Sequence, residues 1–242
     1  MAGASLRSRR RPQPSPSPSS ATGAPALEAR DLYRFFHAGD EETLALRGVS
    51  LVVVLGEMVA VSGPSGSGKS TLLACLAGID EPDGGTVRVG GVAMSRRPEP
   101  ERARLRARSI GLVFQSANLV EHLSIEQNVA LAQRLAGRAD PAAAAALLRL
   151  LGVGERARAV PSELSGGEAA RAGLAVALAN DAGVVLADEP TGEVDAVNEA
   201  RVLGLLRARA EAGTAVVVVT HSQAVAAAAD RTVVLVDGQI HP

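Results

Sequence analysis

Short apolar runs alternate with longer amphipathic stretches from residue 27 to the end of the chain. The segments LEARDL (27–32), VSLVVV (49–54), MVAVSG (58–63), TVRVGG (86–91), IGLVFQ (110–115) and VVLADEP (184–190) predict strands. So do residues 214–219 and 231–236. Between them, KSTLLACLAG (69–78), 98–108, 195–212 and 222–229 predict helices. Residues 125–180 read almost entirely as helix, with a Pro/Ser break at 161–165. Continuous apolar strands separated by helices call for a parallel sheet covered on both faces, an α/β class. The helical block, at about 115–182, reads as an inserted subdomain.

Composition separates residues 1–26 from the rest. MAGASLRSRRRPQPSPSPSSATGAPA has five Pro, six Ser, four Arg and no acid, so it reads as a disordered tail ahead of a domain over 27–242. It has a basic start but no apolar h-region, and so is no secretory signal. A solvated tail and a basic arm that touches anionic lipid both fit. The whole chain has 242 residues and a formal charge of −1, which becomes −5 without the tail. That charge offers no broad field for nucleic acid. The one cysteine, Cys75, excludes an intrachain disulfide and falls on the apolar face of 69–78, where it reads as core packing. No apolar run approaches the ~20 residues that span a bilayer. Aromatic residues are only 2% of the chain, so the core must be built from Ala, Val and Leu.

Of the 25 basic residues, a single one is lysine, Lys69. It sits in GPSGSGKST (63–71), which satisfies G-x-x-x-x-G-K-[ST]. This segment follows a predicted strand and opens a predicted helix, as a phosphate loop requires. Gly63, Gly66 and Gly68 would let backbone N–H groups turn inward, around Pro64, Ser65 and Ser67. The helix start adds its positive end. Lys69 would neutralise β and γ phosphates, and Ser70, beside Thr71, would offer a hydroxyl to Mg²⁺. VVLADEP then places Asp188 and Glu189 at the C-terminal end of a strand, the edge where open α/β sheets bind ligands. As neighbours on a strand they would face opposite sides. Asp188 suits a metal, and Glu189 suits orientation or deprotonation of an attacking water.

PSELSGGE (161–168) supplies a second helix start able to hold an anion, at Ser165, Gly166 and Gly167. With the loop at 63–71 and VVLADEP, the chain resembles the nucleotide-binding subunits of ABC transporters over about 27–240. The resemblance implies a P-loop NTPase core with a mostly parallel sheet, an antiparallel β subdomain and an inserted α-helical signature subdomain. It implies that two copies pair head to tail around two ATP molecules. Each ATP then lies between the phosphate loop of one copy and LSGGE of the other. It also assigns Gln115 to Mg²⁺ and to sensing of the transporter contact, Asp195 to the cross-dimer loop, and His221 to the γ-phosphate. His37, His122 and His241 read as solvated. The family stacks adenine on an aromatic residue after its first strand; spacing favours Phe36, then Tyr33, while all three of Tyr33, Phe35 and Phe36 could instead cover the sheet. The signature departs from the commonest form in ending on Glu168 rather than Gln, and a carboxylate fits less comfortably near triphosphate.

FFHAGDEETLALRGVSL (35–51), FQSANLVEHLSIEQNV (114–129) and LADEPTGEVD resemble the lipoprotein-release and macrolide-export ATPases. That likeness implies an ATPase motor peripheral to the cytoplasmic face of the membrane, with an integral permease as partner. The region Asn118 to Ser124 would meet a permease helix, with Leu119, Val120 and Leu123 either supplying a groove or simply packing within the subdomain. A regulatory subunit of the cell-division type is the alternative. A cytosolic ABC protein of translation or repair fits less well, since those carry two such domains, zinc cysteines or long coiled coils.

Overall fold

The computed structural model describes residues 25–38, 41–114, 119–192 and 194–241. Most of the Pro/Ser/Arg-rich tail lies outside these residues, as do Gln115, Asn118 and Glu193. Two sheets carry the fold. The smaller is antiparallel, in the order β2-β1-β4-β5: β1 (Pro25–Ala38), β2 (Glu41–Val54), β4 (Gly84–Val89) and β5 (Val92–Ala93). The larger has the order β10-β9-β3-β8-β7-β6. Its strands are β3 (Met58–Ser62), β6 (Ile110–Val113), β7 (Val184–Asp188), β8 (Ala215–Val219), β9 (Arg231–Val236) and β10 (Gln239–His241). All its pairings are parallel except β10 on β9. The α/β class and both sheets thus agree with expectation.

Helices cover the larger sheet: α1 (Lys69–Leu76), α2 (Glu99–Ser109), α3 (Ile125–Ala136), α4 (Pro141–Leu150), α5 (Gly166–Leu178), α6 (Ala196–Glu211) and α7 (Gln223–Ala228). The central strands are buried along their whole length in β7 and β8. Their side chains alternate between two cores. Val59, Val61, Leu186, Val217 and Val219 pack with α1 and the antiparallel sheet. Met58, Val185, Ala187, Val216 and Val218 pack with residues of α3 to α7. Continuous valine runs are the composition that a two-sided environment selects.

Three expectations change. The block 125–180 is not one near-continuous helix. Gly137, at φ 76, ends α3 in the left-handed conformation, and Asp140 caps α4 ahead of Pro141 at its first turn. Two 3₁₀ turns, Gly154–Arg156 and Pro161–Glu163, fill the interval before α5. The first strand does not stop at Leu32 but runs through the aromatic residues to Ala38, because β2 pairs along its length as far as Glu41. β10 was not anticipated, although Asp237-Gly238 is a two-residue hairpin signal, with φ 47 and 74.

Gly111 shows how closely β6 and α5 approach. A Cβ there would lie 2.2 Å from the Ala177 carbonyl oxygen, which is backbone and cannot swing away. Gly111→Ala should therefore destabilise the fold by about 2 kcal/mol, as overpacking does. Urea unfolding measures this, and an unchanged midpoint would contradict the close approach.

A candidate nucleotide site at the sheet edge

β3, β8 and β7 end together. Val219 pairs with Val61 on one side and with Asp188 on the other. The segments that leave these ends are Gly63–Thr71, Thr220–His221 and Glu189 onward. Three groups of predicted residues thus share one edge.

The phosphate loop folds by backbone demand. Gly63 has φ 148 and Gly68 φ 99, and a Cβ would meet Leu235 O at 2.0 Å and Ala45 O at 2.4 Å respectively. Only glycine meets both conditions without displacement. Gly66 is also left-handed, at φ 78. Ser67 N–H donates to Pro64 O, and Gly238 N–H donates to Ser67 O, so the β9–β10 turn braces the loop. Lys69 is buried, and its Nζ donates to Gly63 O at 2.8 Å and Pro64 O at 2.9 Å. The ammonium therefore lies across the loop's own carbonyls. Gly68 offers α1 no side-chain cap, which leaves the first N–H groups of the helix available. Ser67 Oγ is buried and, among the described residues, has no hydrogen-bond partner.

A cavity of about 370 Å³ opens here and reaches from Gly66, Gly68, Lys69, Ser70 and Thr71 to Phe36. Thr43, Leu44, Ala45, Arg47, Asp237 and Gly238 complete it. Sequence reasoning missed these six. Asp237-Gly238 was legible as a turn, but nothing local tells that it meets the loop. Phe36 is the aromatic that lines the cavity. Tyr33 instead covers Gly84, and its hydroxyl would lie 2.9 Å from a Cβ on Gly48.

Asp188 and Glu189 do not part by strand alternation. Asp188 is the last residue of β7 and is buried. Glu189 has already left the strand, at φ 48, with its N–H donating to Val219 O. A left-handed residue, not a pleat, turns its side chain toward β8. Its Oε2 accepts from Thr220 Oγ1 and from the His221 N–H, each at 3.4 Å. Its Oε1 lies 3.6 Å from His221 Nε2. The carboxylate and the histidine are therefore neighbours. His122 and His241 are exposed, and Cys75 is buried, its thiol pushed up to about 12 by burial.

Ser165, Gly166, Gly167, Glu168 and Asp195 do not line the cavity. Ser165 caps α5 and Glu168 answers it in a capping box. Glu168 Oε2 accepts both the Ser165 N–H, at 2.9 Å, and its hydroxyl, at 3.0 Å. Arg156 Nε lies 3.4 Å from Glu168 Oε1. The glutamate is thus folded back and partly neutralised, which eases the discomfort expected of a carboxylate there. Asp195 caps α6 in the same manner through Asn198. Leu119 is half-buried and packs against the core, and Asn128 binds the carbonyls of Val120 and Leu123. A groove of about 680 Å³ lies elsewhere, between α3 and α4. Among the described residues no helix is long and apolar enough to cross a membrane.

The family model described as ABC transporter matches residues 46–192. The chain belongs to the ABC transporter family. Within it, the chain is similar to the macrolide export ATP-binding/permease protein MacB of Brucella melitensis, at 43% identity over 223 residues, 90% of this chain and 34% of that protein. MacB of Escherichia coli K12 is 41% identical over 219 residues, with shares of 89% and 34%. The chain therefore spans about a third of the length of these curated relatives. Among solved structures, the dimeric ATP-binding cassette MJ0796, in a post-hydrolysis state bound to ADP and Pi, superimposes with a TM-score of 0.85 at 32% identity. That match covers 89% of this chain and 97% of the cassette. The fold is that of an ATP-binding cassette.

The Ser165 N–H and hydroxyl hold the Glu168 carboxyl below the ordinary range, helped by Arg156 and Arg171. The Asn198 N–H does the same for Asp195, helped by its amide, the Val197 N–H and Arg171. Both carboxyls bind protons less readily folded than unfolded. They stabilise the fold at neutral pH, and this is lost as pH falls from about 4 through the lowered folded values. Carboxyl ¹³C titration by NMR should place both midpoints under the ordinary range. Midpoints within that range would contradict the capping geometry.

Proposed function

We propose that this chain is the ATP-binding and ATP-hydrolysing motor of a membrane transporter, acting in export or extrusion. The observation that carries the reading is the position of Lys69. Its ammonium is held on Gly63 O and Pro64 O inside a loop of left-handed glycines, beside a helix start with no cap. A cation and a ring of inward N–H groups form a receptor for polyphosphate. The buried, unpartnered Ser67 Oγ is a further polar atom that a phosphate oxygen would satisfy. The solved relative bound to ADP and Pi supports the same ligand class.

The residues fit the group that the family implies, Mg²⁺ with ATP. Ser70 and Asp188 would hold the metal, with Gln115 as a further ligand outside the described residues. Among the described residues no cluster of three or more His, Cys, Asp or Glu is present. That suits a magnesium ion bound largely by phosphate and water. The ion would supply charge neutralisation at the phosphates.

Glu189 is the general base in this reading. Its carboxylate takes a proton from water as the water oxygen bonds to the γ-phosphorus. The bond from the γ-phosphorus to the bridging oxygen breaks, and ADP leaves with that electron pair. His221 Nε2 lies 3.6 Å from Glu189 Oε1, and the histidine would contact the γ-phosphate. Phe36 would stack the base, with Pro64, Ser65 and Thr71 completing the loop. Ser165, Gly166, Gly167, Glu168 and Asp195 would serve the ATP of a second copy in a head-to-tail dimer. Their absence from the phosphate-loop cavity supports that division. The partner is an integral membrane permease, met through the helical subdomain, and the chain works at the cytoplasmic face. The cassette begins with β1, since Pro25 and Ala26 belong to that strand and Ala26 is buried in the core, two residues before the boundary expected at 27.

Lys69→Ala should weaken ATP binding by about tenfold to a hundredfold, the loss of charge-assisted phosphate contacts. Calorimetry measures it, and unchanged affinity would remove the phosphate-loop role. Glu189→Gln should bind ATP, slow hydrolysis by about a hundredfold or more, and accumulate an ATP-stabilised dimer. Turnover near that of the unmodified chain would exclude Glu189 as the base.

A further inference from the structure

Phe36 is half exposed near the end of the β1–β2 hairpin where the two strands connect, and an aromatic ring so placed is ordinarily free to turn. Here it is not free. Arg34 is two residues earlier on the same strand, across a register irregularity between Arg34 and Phe35. The Arg34 guanidinium carbon lies over the Phe36 ring, 4.7 Å from its centroid, within cation–π range.

The guanidinium is itself fixed. Its Nε and Nη2 donate to the two carboxylate oxygens of Asp80, each at 3.2 Å, and its Nη1 donates to Asp83 at 3.1 Å. Asp83 also accepts the Phe35 N–H at 2.7 Å. Both aspartates lie between the end of α1 and the start of β4. The ring is thus tied through Arg34 to the segment that follows the phosphate-loop helix. The cavity reaches Phe36 but not Arg34. The ring thus meets both the guanidinium and the cavity.

We propose that Arg34 is a positioning residue for the nucleotide base. It forms the rear layer of a guanidinium–phenyl–purine stack, and it sets the Phe36 plane before the base arrives. This rests on the reading of Phe36 as the base platform. A ring held in place loses less rotational freedom on stacking, so part of the ordering cost is removed from binding. Arg34 does not line the cavity beside the phosphate loop, so its contribution is confined to ligands that carry a base. A lysine in its place would keep the charge near Asp80 and Asp83 but not the planar face.

Calorimetric titration of the full chain with ATP and with inorganic tripolyphosphate tests this. Arg34→Lys should weaken ATP by about three- to fivefold and leave tripolyphosphate unchanged. Asp80→Asn, which loosens the guanidinium without touching the ring, should shift ATP in the same direction by less. Phe36→Ala should lower ATP affinity alone, and adding Arg34→Lys to it should change nothing further. Loss of ATP affinity in Phe36→Ala with none in Arg34→Lys or Asp80→Asn would overturn the role of Arg34 and keep Phe36 as the platform. Equal loss for ATP and tripolyphosphate in Arg34→Lys would also overturn it, as a general effect on the fold. An unchanged ATP affinity in Phe36→Ala would remove the platform reading, and the proposal with it.

Discussion

The in-register pairing of β3, β8 and β7 is the constraint on which the site depends. Val219 is in register with Val61 and with Asp188, so the three strands stop at one level. The chain must leave each end by a turn. After β3 it turns through glycines and carries Lys69; after β7 it turns through a left-handed Glu189; after β8 it presents His221. A shift of one residue in β7 would move Asp188 and Glu189 together and break the contact with His221. Strand register is pinned by burial on both faces, since a slip would exchange the side chains of the two cores. Packing in the core thus sets the geometry of groups that are themselves polar.

Two helix starts offer N–H groups to anions, but they are treated differently. The start of α1 is left without a side-chain cap and is surrounded by a cavity. The start of α5 is closed by Ser165 and Glu168. A phosphate that approached α5 would find its serine hydroxyl already donated to a carboxylate, with Arg156 beside it. That arrangement gives the Glu168 variant of the signature a physical rationale, since the carboxylate stabilises its own helix and does not project freely.

Much of this was legible in the residues. Continuous valine runs announced buried parallel strands, and a single lysine among 25 basic residues marked the phosphate loop. Asp188 and Glu189 were correctly placed at a strand end, but by the wrong geometry. Alternation was assumed where a positive φ separates them, and non-glycine left-handed residues leave little trace in sequence. The break in the long helical block was readable from Gly137 and Asp140-Pro141 and was overlooked because apolar periodicity dominates that stretch. Arg47 and Asp237 could not be found locally. They reach the cavity because β2 and the β9–β10 turn meet the loop at the Arg47–Gly238 and Gly238–Ser67 backbone bonds, which join residues far apart in the chain. The link from Arg34 to Asp80 is of the same kind, at a separation of 46 residues.

In the proposed motor, one ATP is enclosed by the phosphate loop of one copy and the α5 start of another. Mixing two inactive chains tests it directly. One carries Lys69→Ala with an intact signature segment; the other carries Ser165→Arg with an intact phosphate loop. The account predicts that the mixture regains ATP hydrolysis that neither chain has alone, because the mixed dimer contains one complete site. A mixture as inactive as its components, under conditions where mixed dimers form, would contradict a site shared between copies.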